Sequence, residues 1–216
     1  IYATIRHLPH RPAVRLQYYM NATFQDLIFD PQLIRRFDVN GPRYTSYPTA
    51  DRFVEAFDAD AYRLWLGKRT VGGISRPLSL YVHIPFCNTI CYYCARNKNI
   101  TKDHGRSAKY LKYLGKELAL QSGYLEGSHD VVQLHWGGGT PTFLSHDEMR
   151  QLMGSIREHF RLQPNGEYSI EADPRKVDEA TVALLGELVF NRMSLAVQDF
   201  DLAVQEAVNR VQSIEK

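Results

Sequence analysis

The apolar positions of the chain change period several times between residues 77 and 211, and each change marks an element. Pro77 opens a strand over residues 78–84, which runs directly into a loop carrying all the cysteines. Leu111, Leu114, Leu118 and Leu125 then recur at helical spacing, so residues 107–122 read as an amphipathic helix. A second strand is expected over 131–136, closed by Gly137, Gly138 and Gly139. Ser145 and Glu148 have the spacing of a capping box, and Met149, Leu152, Met153, Ile156 and Phe160 form one apolar face behind it, which predicts a second helix. Residues 167–172 alternate as a third strand. A helix over 177–188, a strand over 192–197 and a fourth helix over 202–211 follow. Ahead of this pattern, residues 20–76 are polar and aromatic and read as an arm with one short helix at 60–67.

Strand and helix alternating at this pitch argue for an α/β fold of right-handed βαβ units, with a parallel sheet curling toward a barrel. Residues 77–216 supply four such units. A sheet ending at the fourth strand leaves an uncovered edge, which is a poor boundary for a stable domain. The expectation is therefore an incomplete core, the N-terminal part of a longer protein.

Composition narrows the classes without changing this picture. A hydrophobic content of 44% and a charged content of 23% suit a soluble globular protein of 216 residues. The net charge of +2 comes from interspersed residues, which gives no case for nucleic acid. No stretch approaches the roughly 18–20 apolar residues that a membrane span requires.

Chemistry enters with Cys87, Cys91 and Cys94, the only cysteines, spaced C-x3-C-x2-C. Three thiols in one short loop cannot form a balanced disulfide framework, but they can hold a metal. Zinc asks for a fourth protein ligand, and its cysteine pairs usually come twice. A [4Fe–4S] cluster held by three thiolates leaves one iron open, whereas an electron-carrying cluster takes four. The spacing thus points to a cluster that does chemistry, in reducing, cytoplasmic conditions. Ligands of a parallel α/β sheet lie at the C-terminal strand ends. The cysteines, the glycine run, Glu171 with Asp173, and Gln198 all fall there.

The words around the cysteines carry a resemblance. Tyr81-Val82-His83-Ile84-Pro85-Phe86-Cys87 and His135-Trp136-Gly137-Gly138-Gly139-Thr140-Pro141-Thr142 resemble the radical S-adenosylmethionine (SAM) enzymes. Gly41-Pro42-Arg43-Tyr44-Thr45-Ser46-Tyr47-Pro48-Thr49-Ala50, Ile170-Glu171-Ala172-Asp173-Pro174-Arg175 and Val197-Gln198-Asp199-Phe200 narrow this to the oxygen-independent coproporphyrinogen III oxidase family. The resemblance spans residues 20–215. It implies a radical SAM core of six βα units followed by a further domain, with a [4Fe–4S] cluster on Cys87, Cys91 and Cys94. It also implies SAM, in two molecules. Gly138, Gly139, Thr140 and Glu171 would meet SAM, with Tyr81, Tyr93, Gln198 and Arg210 at further SAM-contacting positions. The implied reaction starts with a 5′-deoxyadenosyl radical that takes a hydrogen from a propionate of coproporphyrinogen III. Loss of CO₂ and one electron, twice over, gives protoporphyrinogen IX. An external electron donor, a tetrapyrrole substrate and a monomer in the cytoplasm belong to the same expectation.

Several residues keep two readings. The glycines form either a tight turn or a place where backbone approaches a ligand. Glu171 is a solvated charge or a ligand's partner. Arg43, Tyr44 and Tyr47 either receive a carboxylated tetrapyrrole or pin the arm to the core. His83 and His135 are expected to be strand residues satisfied by hydrogen bonds, not cluster ligands. Residues 1–19 hold Arg6, Arg11 and Arg15 and no acid, as a transit peptide would. The chain opens with Ile and the family pattern begins after Met20, so a basic tail translated from upstream is the expectation. Three positions depart from the family: Arg96 replaces a fourth cysteine, and Val189 and Ala196 replace glycines. Two competing readings are a non-catalytic iron–sulfur protein like the related haem chaperones, and an inactive metal-binding fragment. The arm signature and the continuation Asn97-Lys98 favour the oxidase.

Overall fold

The computed structural model describes residues 2–6, 30–39 and 49–213. The chain divides into two compact units, Leu8–Arg63 and Ile1–His7 with Leu64–Lys216. Arg43, Tyr44, Tyr47 and most of the arm signature lie outside the described residues.

In chain order the first elements are β1 (Tyr2–Arg6), α1 (Pro31–Phe37) and α2 (Ala59–Gly67). Asp30 caps α1, its side chain accepting from the amides of Gln32 and Leu33. The short helix expected at 60–67 is α2, and Asp58 accepts from the amides of Asp60 and Ala61. A small hairpin of β2 (Thr70–Val71) and β3 (Ile74–Ser75) leads to β4 (Leu78–Ile84). Next come β5 (Phe86–Cys87), β6 (Asn99–Ile100), α3 (Gly105–Gly123), β7 (Asp130–Gly138), α4 (His146–His159), β8 (Arg161–Ala172), α5 (Glu179–Glu187), β9 (Arg192–Ala196) and α6 (Leu202–Ala207).

The main sheet runs β1-β9-β8-β7-β4. Strands β4, β7, β8 and β9 are parallel, as the four expected βα units require. Register places Val82 beside Trp136 and Trp136 beside Ile170 on one face. On the other, Tyr81 lies beside His135 and His135 beside Ser169. The first face packs on the helices. Ile84, Trp136 and Ile170 are fully buried there with Leu111, Leu114 and Leu118 of α3 and Met149, Leu152, Met153 and Ile156 of α4. The capping box forms as expected: Ser145 accepts from the Glu148 amide while Glu148 accepts from the Ser145 amide.

Three features depart most from expectation. Strand β8 starts at Arg161, not 167, because its first residues pair with Asp130 and Val131 before an irregularity at Pro164-Asn165-Gly166 resets the register. Helix α6 stops at Ala207 instead of 211, because Asn209 turns left-handed at φ 55°. The edge of β9, expected to be uncovered, carries β1 antiparallel, with Tyr2 opposite Ala196 and Arg6 opposite Arg192. Part of the basic tail, Tyr2–Arg6, is therefore a strand. Tyr, Thr and Ile in that segment are strand formers, and an open row of edge amides and carbonyls accepts such a segment.

Candidate functional site

The cysteine loop is pinned by its own backbone. The chain leaves β4, passes Pro85 into β5, and returns in β6, parallel to β5. The Asn99 amide donates to the Pro85 carbonyl at 2.7 Å and the Thr101 amide to the Cys87 carbonyl at 2.9 Å. Within the loop Lys98 Nζ donates to the Cys94 carbonyl at 2.8 Å. His83 Nε2 lies 2.9 Å from the Asn97 carbonyl and His83 Nδ1 lies 2.9 Å from the Tyr81 hydroxyl. His135 Nδ1 lies 2.7 Å from Ser169 Oγ. Both histidines thus serve as hydrogen-bonded strand residues. From the other side, the Tyr92 amide donates to the Val208 carbonyl at 3.1 Å and Asn209 Nδ2 to the Ile90 carbonyl at 2.7 Å. Loop and α6 terminus hold each other.

Cys87, Cys91 and Cys94 are free, half-buried thiols, and all three line a cavity of about 620 Å³ at the C-terminal ends of the parallel strands. Burial pushes the Cys87 thiol pKa up, against the opposing pull of the Thr140 hydroxyl 3.5 Å away. The same cavity is lined by Tyr93, Gly138, Gly139, Thr140, Glu171, Gln198 and Arg210. Of the residues expected to meet SAM, Tyr81 is the one outside that lining. It lies one layer down the same strand face, stacked on His135 with ring centroids 5.8 Å apart.

The glycine run makes a close approach, but to the cysteine loop itself. The Gly139 amide donates to the Ile84 carbonyl at 2.8 Å and the Thr140 amide to the Phe86 carbonyl at 2.9 Å. A Cβ on Gly138 would come within 2.8 Å of the Ile84 carbonyl, at a φ of +117° that side chains rarely adopt. A Cβ on Gly139 would stand 2.8 Å from Cys87 Sγ and from the Phe86 carbonyl. The run therefore brings β7 against the first cysteine, a role that spacing alone does not reveal.

Charge organises the rest. Glu171, at the end of β8, is paired with Arg96 of the cysteine loop and has His135 Nε2 at 3.7 Å. Burial alone would raise its pKa, but these two neighbours outweigh burial and hold it down to about 2. Arg96 Nη1 also donates to the Gly138 carbonyl at 3.1 Å. Asp173 is gripped by Arg175, whose Nη2 lies 2.6 Å from Oδ2, and this grip overcomes burial to lower the Asp173 pKa. Arg210 reaches the Ala196 carbonyl at 3.2 Å and Cys91 Sγ at 3.7 Å, while its buried Nε has no partner among the described residues. Two of these groups were not foreseen. Arg96 was legible only as a departure from the family, and Arg175 only as part of the run Glu171-Ala172-Asp173-Pro174-Arg175. The signal for Arg175 was the acid and base flanking one proline.

The residues fit a cluster and a polar ligand. Among the described residues, no three histidine, cysteine or acidic side chains converge on one point as a single ion would need. A cluster does not ask for that convergence, since each thiolate takes a different iron. Glu171 and the unpartnered Arg210 Nε offer an acceptor and a donor beside the thiols, the kind of groups a ligand satisfies.

Comparison with protein families matches the radical SAM superfamily over residues 81–216. The chain is 54% identical over 191 residues to the oxygen-independent coproporphyrinogen III oxidase of Pseudomonas aeruginosa, covering 87% of this chain and 41% of that protein. It is 43% identical over 191 residues to the enzyme of the same name from Escherichia coli, covering 88% of this chain and 41% of that protein. A solved structure of coproporphyrinogen III oxidase from Escherichia coli, described as a radical SAM enzyme, aligns with a TM-score of 0.76 at 42% identity. That alignment covers 87% of this chain and 40% of the other. The chain spans about two fifths of the length of these curated relatives.

Proposed function

The chain belongs to the radical SAM superfamily, and on that premise we propose that it carries the cofactor-binding part of an oxidoreductase that decarboxylates coproporphyrinogen III to protoporphyrinogen IX in porphyrin and haem synthesis. The observation that supports this reading best is that one cavity at the strand ends gathers three thiols, the glycine run, Glu171, Gln198 and Arg210. In this reading Cys87, Cys91 and Cys94 hold a [4Fe–4S] cluster, and SAM lies against Gly138, Gly139, Thr140 and Glu171. Tyr81, Tyr93, Gln198 and Arg210 contact SAM, including a second molecule. When bound, these groups supply one-electron reduction and hydrogen abstraction from carbon.

The chain's own residues bind and orient. Lys98, through the Cys94 carbonyl, and His83, through the Asn97 carbonyl, fix the loop so that the thiols face the cavity. Glu171, ionised far below neutral pH, accepts hydrogen bonds from a cationic ligand group. Arg210 keeps one N–H for an acceptor on the ligand while its other nitrogens hold the Ala196 carbonyl and Cys91. Ala196, in place of a family glycine, supplies the carbonyl that holds this guanidinium. Tetrapyrrole substrate, external electron donor, monomeric state and cytoplasmic location belong to the same proposal. Among the described residues no helix is long and apolar enough to cross a membrane.

Anaerobic reconstitution with iron and sulfide, followed by EPR spectroscopy with and without SAM, tests the reading. One oxygen-sensitive cluster per chain, with a spectrum that SAM perturbs, is the expected result. Stoichiometric zinc without sulfide would refute it. Anaerobic incubation with coproporphyrinogen III, SAM and a reductant, scored as vinyl product, tests the substrate.

A further inference from the structure

The cavity at the strand ends carries more positive than negative side chains. Its lining holds six lysines and arginines against two acids, Glu171 and Asp173. Four of the six are engaged: Arg96 pairs with Glu171, Arg175 grips Asp173, Arg210 holds the Ala196 carbonyl and Lys98 the Cys94 carbonyl. The side chains of Lys102 and Lys176 have no hydrogen bond or ion pair among the described residues, and both are exposed, so they stand at the mouth of the cavity. Asp103, next to Lys102, is taken by Arg106 at 3.7 Å and by the Gly105 amide at 2.9 Å. His104 joins the two lysines in the lining. Its ring lies on buried Phe143, with centroids 4.2 Å apart and planes 13° from parallel. His104 Nδ1 donates to the Phe143 carbonyl at 3.2 Å. A carbonyl only accepts, so Nδ1 carries a hydrogen, and Nε2 has no partner among the described residues. The ring is held in place and keeps one nitrogen for a ligand.

We propose that Lys102, His104 and Lys176 form a carboxylate-binding rim of this cavity, which takes propionate groups of the tetrapyrrole and makes affinity rise with the number of carboxylates. The inference rests on the reading of a propionate-bearing substrate. Charge supports it. A cluster with three thiolates is a weak anion overall and SAM a weak cation, so together they leave the excess of side-chain cations in place. A ligand with several carboxylates balances that excess, and cations at the mouth of a cavity also raise the local concentration of such an anion. Lysine suits a rim, because it offers a point charge on a flexible stem and follows a carboxylate without a fixed geometry. His104, held by Phe143, adds a fixed point to the two mobile ones. The proposed reaction turns a tetracarboxylate into a dicarboxylate, so such a rim holds substrate more tightly than product.

The test is anaerobic equilibrium dialysis of the reconstituted 216-residue chain, with SAM present and no reductant, so that ligand binds without being converted. Three probes separate the chemistry: coproporphyrinogen III, protoporphyrinogen IX, which has half as many propionates, and the tetramethyl ester of coproporphyrinogen III, which has no free carboxylate. Each is quantified by fluorescence after oxidation. Circular dichroism and iron and sulfide content confirm fold and cluster in each variant. Lys102→Ala, Lys176→Ala and His104→Phe, which keeps the stack on Phe143, should each weaken coproporphyrinogen III binding about threefold, the size of an exposed charge pair. The triple variant should lose about thirtyfold if the effects add. The losses should be smaller for protoporphyrinogen IX and absent for the ester, and Lys102→Arg should bind like the parent. Lys112→Ala, an exposed lysine of α3 outside the cavity lining, should change nothing. Equal affinity of the triple variant and the parent overturns the rim and leaves the substrate reading standing. A loss as large for the ester, or as large in Lys112→Ala, also overturns it, since neither depends on carboxylates at this place. If the parent binds none of the probes although SAM perturbs the cluster spectrum, the substrate reading falls together with the rim.

Discussion

The two faces of the parallel sheet are built from alternate residues of the same strands and follow opposite rules. On the helix side, Val82, Ile84, Trp136 and Ile170 are buried among side chains of α3 and α4. On the other side, Tyr81, His83, His135, Ser169 and Glu171 replace packing with a chain of hydrogen bonds and one ion pair. Tyr81 is still 59% exposed there. Since successive side chains of a strand point to opposite faces, one backbone carries both. The helix side holds the strand ends in register; the open side spends that rigidity on aiming polar groups at one cavity.

Neighbouring substitutions give the sharpest way to break this comparison. Trp136→Ala empties a fully buried site packed edge-on against Phe190 at 4.9 Å, and should cost about 3–5 kcal/mol of unfolding free energy. His135→Ala, one residue away on the open face, should cost about 1 kcal/mol, since it removes one hydrogen bond, a partly exposed stack and a 3.7 Å contact with Glu171. Urea denaturation of both measures the difference. Equal losses would mean that the open face is as structural as the packed one.

Next in size is Glu171→Gln, which keeps the shape of the side chain and removes its charge. A charge-assisted hydrogen bond contributes about 1.5–3 kcal/mol, so SAM affinity should fall by one to two orders of magnitude while the cluster and the fold remain. Dialysis with labelled SAM measures it. A loss of iron in this variant would place Glu171 in the support of the cluster instead.

The same contrast explains what the sequence told and what it hid. Leu111, Leu114, Leu118 and the Met149 to Ile156 face were legible because burial imposes a period, and the capping box was legible because it is local. The cysteine loop, the glycine run and Gln198 could be placed at strand ends for the same reason. What stayed hidden depends on contacts between distant segments. Arg96 meets Glu171 across 75 residues, and nothing in the spacing of either announces the pair. Gly138 reads as room for a ligand until the Ile84 carbonyl is seen to need that space. The strand Tyr2–Arg6 is too short and isolated to carry a period, and only the free edge of β9 gives it meaning.

Acid titration probes the open face with a smaller effect. Glu171 has a pKa of about 2 in the fold against an ordinary 4.5, held there by Arg96 and His135 in spite of burial. A depressed carboxylate stabilises the folded state above its ordinary pKa, and that contribution drains away as the pH falls from about 4.5 toward 2. Because Arg96 is 45% exposed and screened by solvent, about 1–2 kcal/mol is the expected size. Stability curves of parent and Arg96→Ala should therefore converge below pH 4.5 and separate above it. Parallel curves would show that the ion pair contributes nothing to folding.

The smallest effect concerns a place where the packed side breaks its own rule. Helices α5 and α6 end in the same geometry. The amides of Val189 and Phe190 donate to the Gly186 and Leu185 carbonyls, and those of Asn209 and Arg210 to the Glu206 and Gln205 carbonyls. Each turn needs a left-handed residue, and the φ angles are 67° at Val189 and 55° at Asn209. Asparagine tolerates this conformation, and here its side chain also donates to the Ile90 carbonyl of the cysteine loop. A β-branched valine is among the residues least suited to it, at a cost of about 1–2 kcal/mol. Val189→Gly should therefore stabilise the protein by about 1 kcal/mol once the extra backbone freedom of glycine is deducted. For a domain of this size that is a rise of about 2–4 °C in the melting temperature. Asn209→Val should act in reverse, losing stability and loosening the cysteine loop, visible as faster loss of iron from the reconstituted chain. Thermal denaturation of the two single variants and of the double variant measures both arms. The two residues share no hydrogen bond, and their effects are expected to add. A valine that proves neutral at both positions would mean that the left-handed turns are relieved by movement of the helix ends, and that neither cap constrains the face it serves.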